Sequence, residues 1–164
     1  MGLMGRVTLE RFLQTQSRHR AILLRLQREA QKSRQKNKHA AAVVDERGTI
    51  VGIGRNGDAS RNSFFSVILR RQFGKRITTV HAEFEAILDA LRGIAPKDLL
   101  AIFGGVVPRQ FREKTMYCYR ETLTGMFANA KPCSYICEPT LRLLGFRDTF
   151  YTLPHSSDLE HVLF

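Results

Sequence analysis

Three side chains that commonly bind metal, together with one carboxylate, form the most informative pattern in the sequence. His81 is followed two residues later by Glu83, and Pro132-Cys133 is followed by Cys137. One imidazole and two thiolates would fill three positions of a tetrahedral Zn²⁺ site and leave the fourth position for water. Glu83 is not required as a ligand in such a set, so it is free to move protons between that water and a bound molecule. The pattern therefore predicts a catalytic zinc site.

The spacing of the two cysteines places a condition on this site. Three residues separate Cys133 from Cys137, so the two sulfurs would share a face on a continuous helix. Pro139 argues against a continuous helix, because proline cannot donate its backbone N–H and fits best in a first turn. We expect a helix that begins near Ile136 and leaves Cys133 on a loop. From there Cys133 either binds the metal or belongs to a site that is no longer used.

Purely structural interpretations of the same residues stay open. His81 can simply cap its helix, and free cysteines are commonly buried in protein cores. Cys118 illustrates this second case, since it alternates with Tyr117 and Tyr119 on a predicted strand. We predict that Cys118 is a core residue and not a ligand.

The elements that must position these side chains alternate between strands and helices. In chain order they are strands at 39–44 and 49–53 joined by a turn at 45–48, a helix at 81–92, a strand at 115–120, a helix at 138–144, and strands at 149–153 and 159–164. This order predicts an α/β fold, a three-layer α/β/α sandwich with one mixed sheet. The last connection is too short for a helical crossover, so the last two strands should pair antiparallel.

Positive charge is concentrated near the start of the chain. Residues 1–39 hold ten Lys/Arg and two Glu, whereas the remaining 125 residues hold sixteen basic and thirteen acidic residues. Thr8 can cap a helix there, and its apolar residues recur at helical spacing. We therefore divide the chain into a basic helical arm, 1–38, and a domain, 39–164. The arm favours a polyanionic partner such as RNA, although a solvated helix face would carry the same charges. The predicted nucleic-acid-binding residues are Arg18, Arg20, Arg25, Arg28, Lys32, Arg34, Lys36 and Lys38.

Composition limits the cellular setting. Three cysteines are an odd number, which indicates a reducing compartment more than a disulfide framework. No apolar run approaches the ~18 residues that a membrane span needs, and Met1–Gly5 lacks the apolar stretch of a secretory signal. We predict an intracellular protein, either cytoplasmic or organellar (mitochondrial), with no membrane partner.

Three stretches resemble the cytidine deaminase-like superfamily of zinc enzymes. They are HAAAVVDERGTIVGIGRN from residue 39, HAEFEAILDAL from residue 81 and NAKPCSYICEPTLRLLGFRDTFYT from residue 129. The resemblance covers roughly residues 39–164. The Asn-Ala-Lys-Pro-Cys run is similar to one that deoxycytidylate and cytidine deaminase-like proteins carry. The sequence departs from the family at one point, because Cys133 lies one residue too early when Cys137 is aligned with the second family cysteine.

The resemblance assigns roles to individual residues. It implies that His81, Cys133 and Cys137 bind Zn²⁺ and that Glu83 is the catalytic proton shuttle. It also implies that Asn56 contacts the substrate and that the backbone of Ala82 faces the base. Asn56 precedes a glycine and is also a turn signal. Attack of a zinc-activated water at C4 of cytosine, with Glu83 protonating N3 and then the departing ammonia, would give uracil.

Two functions remain open. The first is zinc-dependent hydrolytic deamination of a cytosine base, in a cytidine- or dCMP-type nucleotide or in a single-stranded polynucleotide. The second is a catalytically weak or inactive RNA-binding subunit of a ribonucleoprotein such as an organellar ribosome. The pI of about 10.2, the basic helix and the altered cysteine spacing favour the second function. Family members also form homo-oligomers, which an exposed last strand would permit.

Overall fold

The computed structural model describes residues 5–15, 19–58, 79–92, 111–134 and 136–164. The helices in these ranges are α1 (Leu9–Thr15), α2 (Arg20–Gln31), α3 (Ala82–Ala90) and α4 (Cys137–Leu143). The strands are β1 (Lys38–Val44), β2 (Ile50–Arg55), β3 (Gly57–Asp58), β4 (Thr79–Val80), β5 (Thr115–Glu121), β6 (Asp148–Tyr151) and β7 (Glu160–Leu163). No helix in these ranges is long and apolar enough to cross a bilayer.

One mixed sheet organises the chain, with strand order β2-β1-β5-β6-β7. β1 pairs antiparallel with both β2 and β5, β5 pairs parallel with β6, and β6 pairs antiparallel with β7. The predicted hairpin and the predicted antiparallel ending are therefore confirmed. The short antiparallel pair β3–β4 is a separate two-stranded sheet that the sequence pattern does not predict.

The hairpin between β1 and β2 is closed by its own turn residues. The Oδ1 atom of Asp45 accepts hydrogen bonds from the backbone N–H groups of Arg47 (3.0 Å) and Thr49 (2.8 Å). Gly48 has a φ of 81°, a left-handed conformation that glycine adopts without steric cost. The pairing that starts at this turn shifts register by one residue between Val43 and Val44.

The central strands bury both of their faces, as a three-layer sandwich requires. Ala41 and Val43 of β1 face the core that includes residues of α3 and α4. Ala40 and Ala42 point the opposite way, into a second core that includes residues of α1 and α2. Successive side chains of a strand alternate between faces, so an unbroken apolar strand packs helices on both sides. The predicted α/β/α architecture is confirmed.

The N-terminal segment supplies one of these layers. α2 ends at Gln31, the first residue of the polar run 31–38. The apolar stripe of this segment is buried, with Phe12, Leu23 and Leu26 each fully covered. The division after residue 38 stays a prediction about domains, but α2 packs as a layer of the sandwich and not as a detached arm.

Two glycines in β2 allow α3 to lie directly on the sheet. A Cβ at Gly54 would stand 2.4 Å from the backbone N of Ala86, and one at Gly52 would stand 2.3 Å from the Ala86 carbonyl oxygen. The carboxylate of Asp89 also accepts a hydrogen bond from the N–H of Ile53 (3.0 Å). The height of α3 above the sheet is thus set by backbone contact.

Replacing Gly54 with alanine should push α3 away from β2, because the added Cβ meets backbone atoms that cannot rotate aside. We expect Gly54→Ala to lower the free energy of unfolding by about 2 kcal/mol or more, measured by urea denaturation. Gly57→Ala is the matched control, since a Cβ there meets nothing within 4 Å. Equal stability of the two variants would contradict the close approach of α3.

A buried carboxylate on α2 forms an ion pair with β2. Glu29 pairs with Lys32 (2.7 Å) on its own helix and with Arg55 on β2. Burial acts to raise the pKa of Glu29, but the hydrogen bonds and positive charges of Lys32 and Arg55 outweigh burial, and the pKa lies below its usual value.

Because this pKa is lower in the folded state, ionised Glu29 stabilises the fold at neutral pH, and the contribution disappears as pH falls through the folded-state pKa. We expect Glu29→Gln to cost about 1 kcal/mol at pH 7, given the partial exposure of both partners. The difference from the wild type should shrink steadily below about pH 4. Thermal denaturation across this range measures it, and a difference independent of pH would contradict the ion-pair assignment.

Candidate metal centre

The predicted ligands converge from two separate parts of the chain. His81 immediately precedes α3 with extended backbone angles (φ −74°, ψ 146°). Cys137 is the first residue of α4, and Cys133 lies on the loop before it. One donor atom from each of the three residues lies within 4.8 Å of the others. The structure therefore brings together the three side chains that the sequence proposes as ligands.

The donor atoms lie close enough together to share one metal ion. His81 Nδ1 lies 3.0 Å from Cys137 Sγ and 3.7 Å from Cys133 Sγ. The usual Zn–N and Zn–S bond lengths give an N–S edge of about 3.6 Å in a tetrahedral site. One nitrogen and two sulfurs are also a donor set typical of zinc. The residues present fit Zn²⁺, with a fourth position left for water.

The extra residue between the cysteines is accommodated by a wide turn. The N–H of Glu138 donates to the carbonyl oxygen of Cys133 (3.0 Å), and the N–H of Cys137 donates to Cys133 Sγ (3.2 Å). Pro139 occupies the first turn of α4, where its missing N–H has no cost. The predicted helix start and the loop position of Cys133 are confirmed. From this loop the Cys133 sulfur reaches the cluster.

Contact between the two sulfurs moves their pKa values in opposite directions. The Cys137 thiol donates to the sulfur of Cys133, and this hydrogen bond, with a further one from His81, lowers the pKa of Cys133 to about 4 against the effect of burial. The same contact, together with burial, raises the pKa of Cys137. The hydrogen bond with Cys133 also raises the pKa of His81. Cys133 is therefore the thiol that ionises more readily, and a metal ion that binds both sulfurs would displace the proton of Cys137.

The ligand cluster opens into a pocket of about 240 Å³. Its lining residues are Asn37, His39, Asn56, His81, Glu83, Arg120, Asn129, Lys131 and Cys133. Glu83, the second residue of α3, is 2% exposed, and its Oε2 atom has no hydrogen-bond partner among the described residues. Buried polar atoms are nearly always paired. A carboxylate oxygen without a partner, beside a candidate metal site, is placed to exchange a proton with a ligand.

A second buried polar atom faces this region. A ring nitrogen of His39 lies within 4.8 Å of a Glu83 carboxylate oxygen and of Cys118 Sγ, and its Nε2 atom has no hydrogen-bond partner in the described ranges. Burial lowers the pKa of His39, outweighing the attraction of Glu83, so the imidazole is neutral at pH 7. Cys118 itself is buried in the core between the sheet and α3, as predicted.

The two predicted substrate contacts have different surroundings. Asn56 lines the pocket, but its side chain also ties the start of β1 in place. Its Oδ1 atom accepts from the N–H of His39 (3.0 Å), and its Nδ2 atom donates to the carbonyl oxygen of Asn37 (2.7 Å). Ala82 is fully buried and is not among the residues that line the pocket. Substrate contact by Asn56 and Ala82 stays a prediction.

The predicted nucleic-acid contacts lie mainly on the solvent side of α2 and the segment after it. The exposed ones are Arg20, Arg25, Arg28, Lys32, Arg34 and Lys36. Lys38 is half-buried, and its Nζ atom donates to the carbonyl oxygens of Gln31 and Ser33. Arg18 lies outside the described residues. Contact of this set with nucleic acid stays a prediction.

Five pocket residues escape prediction from sequence, namely Asn37, His39, Arg120, Asn129 and Lys131. His39 is marked in the sequence as a polar residue at the start of an otherwise apolar strand. Asn129 and Lys131 belong to the run that leads to Cys133, but only their placement at the pocket shows that they face the same space. Arg120 has no local signal, because its position depends on the pairing of β1 with β5.

A family model for the zinc-binding region of cytidine and deoxycytidylate deaminases matches residues 13–153. The chain therefore belongs to the cytidine and deoxycytidylate deaminase family, and its ligand set is that of a zinc-dependent deaminase. The match begins within α1 and so includes α2, which the sequence resemblance leaves out. No curated protein and no solved structure matches the chain significantly.

Purified protein should contain about one zinc ion per chain, and Cys133→Ser should lose most of it, because a hydroxyl is a much poorer zinc ligand than a thiolate. Elemental analysis after dialysis measures the ratio. Cys118→Ala is the matched control and should keep its zinc, since this cysteine is a core residue. Full zinc content in Cys133→Ser would show that the loop cysteine is not a ligand.

Proposed function

We propose that this protein is a hydrolytic zinc deaminase that converts a cytosine base to uracil. The observation that carries the proposal is the buried Glu83, whose Oε2 atom has no described partner and lies in the same pocket as His81 and Cys133. Three metal donors with an open position and one unpartnered carboxylate are the groups that hydrolysis of an aromatic amine requires. The family to which the chain belongs supports the same chemistry.

Each group has a defined part in this reaction. His81, Cys133 and Cys137 would hold Zn²⁺, which would lower the pKa of a bound water toward ~7 and so supply a nucleophile at neutral pH. Glu83 accepts the proton released when water adds to C4 and delivers it to N3 of the base. The carboxylate then takes the remaining proton from the oxygen that added to C4. It delivers this proton to the exocyclic nitrogen, which leaves as ammonia. Water and cytosine are consumed, and uracil and ammonia are formed.

Burial makes Glu83 suited to this work. A carboxylate removed from bulk water interacts more strongly with charges that develop on a bound base. The neutral His39 imidazole nearby offers a hydrogen-bonding atom without adding a second charge to the pocket.

A second candidate function is an RNA-binding structural subunit that shares the deaminase fold. The observation that favours it is the exposed basic face of α2, whose apolar face is buried against the sheet. Such a face can neutralise phosphates without any catalytic group. The converging donors and the unpartnered Glu83 carboxylate are not needed by a purely structural protein, and for this reason we favour the enzyme.

The proposed enzyme should release ammonia from deoxycytidine, dCMP or a cytosine-containing single-stranded oligonucleotide. Glu83→Gln should reduce kcat by at least about 100-fold, because the amide cannot shuttle protons, while the bound zinc is unchanged. Ammonia release and loss of cytosine absorbance measure turnover. The matched control is Glu85→Gln, which lies two residues further along α3 and outside the pocket.

A zinc-loaded wild type with no turnover on any of these three substrates would contradict the proposed activity. If the same protein then bound single-stranded RNA, with an affinity that falls steeply as salt increases, the structural candidate would replace it.

A further inference from the structure

We propose that His39, Glu83 and Cys118 form a second zinc-binding site at the buried end of the pocket, and that an ion bound there inhibits the enzyme. These residues are a separate set from the three ligands that the sequence predicts, and the two sets have no member in common. Binding of the ion does not depend on any reaction. Inhibition rests on the proposed function, because it assumes that Glu83 carries the protons.

The pairing of β1 with β5 places two of the donors on one face of the sheet. His39 lies opposite Arg120, and Cys118 lies opposite Ala41. His39 and Cys118 are therefore two positions apart on neighbouring strands, a spacing at which side chains share a face and meet diagonally. Glu83 comes from α3, which packs on this face. One donor atom from each of the three residues lies within 4.8 Å of the others.

Two of these side chains have a buried polar atom that lacks a partner. They are Glu83, through Oε2, and His39, through Nε2, and neither atom has a hydrogen bond within the described ranges. Glu83 is 2% exposed, and Cys118 is 1% exposed. Buried polar atoms are nearly always paired. An ion that took a lone pair from each of the two side chains would satisfy both atoms at once.

Backbone hydrogen bonds hold the two strand donors in place before any ion binds. The N–H of His39 donates to Asn56 Oδ1 (3.0 Å), and its carbonyl oxygen accepts from the N–H of Asn56 (3.0 Å). The carbonyl oxygen of Cys118 accepts from the N–H of Thr152 (3.2 Å). Fixed donors lose little conformational freedom when a ligand binds.

The chemistry of the donors selects zinc over harder cations. Imidazole, thiolate and carboxylate are all common zinc ligands, whereas Mg²⁺ prefers oxygen atoms and keeps several waters. One thiolate and one carboxylate also neutralise a divalent ion, so the filled site buries no net charge. An ion at the first site would repel a second one nearby, and the first site has two thiolates where the second has one. The second site should therefore be the weaker, and should fill only when free zinc is raised.

Occupation of this site would remove the proton carrier. A carboxylate bound to a metal ion shares with the metal the lone pair that would accept a proton, and the charge of the ion lowers its basicity. Glu83 could then no longer move protons between water and the base. Zinc would thus support the reaction at one site and stop it at the other.

Zinc binding at buffered free zinc tests the site without turnover. Equilibrium dialysis of the full-length protein should give about one zinc per chain at low free zinc and about two at high free zinc. His39→Gln and Cys118→Ala should each keep the first ion and lose the second. The matched control is His161→Gln, which removes an exposed histidine that contacts the Asp148 carboxylate, and this variant should keep both ions. An excess of Mg²⁺ should not displace the second zinc.

Cobalt substitution reports on the buried thiol directly. A second equivalent of Co²⁺ should add thiolate-to-metal charge-transfer absorbance to the wild type and none to Cys118→Ala. His39→Gln provides a second variant if Cys118→Ala does not fold, since it should lose the same absorbance.

Inhibition is measured by comparing each protein with itself at low and high free zinc. When free zinc is about ten times the Kd of the second site, about nine chains in ten hold the second ion, and deamination by the wild type should fall about tenfold. The rate of Cys118→Ala should change by less than about twofold over the same range.

Three results would overturn parts of this proposal. A single zinc per chain at every free concentration overturns the site, and so does loss of the second ion in His161→Gln to the same extent as in His39→Gln. A second ion that binds without slowing deamination overturns the inhibition. If the second ion depends on His39 and Cys118 in a protein that shows no turnover, the site is supported and the proposed function fails instead.

Discussion

The meeting of one imidazole nitrogen and two sulfurs is the interaction on which the rest of this structure depends. The three donors come from the start of α3 and from the loop and first residue of α4, so neither helix can form the cluster alone. Both helices must lie on the same face of the sheet and at the correct height. Gly52 and Gly54 set that height for α3, because their missing side chains let the helix backbone rest on β2. The donor cluster therefore depends on the close packing of α3 against these two glycines.

The two faces of the sheet carry different parts of the protein. One face carries α3 and α4 with the metal donors, while the other is covered by α1 and α2 and has no part in the cluster. β1 serves both, since its alternating alanines are buried on each side. The basic residues of α2 point away from both cores. The molecule can therefore present a positively charged surface on one side without placing those charges next to Glu83.

Much of the fold is readable in the sequence because its signals are local. The hairpin follows from Asp45–Gly48, and the start of α4 follows from Pro139. The three metal ligands are also recognisable by type. The layer formed by α2 is less evident, because a basic amphipathic helix looks the same whether its apolar stripe covers a sheet or a partner. Arg120 and His39 could not be placed at the pocket from sequence, since their proximity arises from strand pairing between residues 81 positions apart.

The wide turn before α4 has a consequence for what a metal centre requires of the chain that carries it. Metal binding depends on the positions of the two sulfur atoms and not on the number of residues between the two cysteines. The bond from the N–H of Glu138 back to Cys133 spans a longer ring than an ordinary helical turn, and it keeps Cys133 beside Cys137 although three residues separate them. Loops that close on themselves in this way can gain or lose length while the coordination they serve is kept.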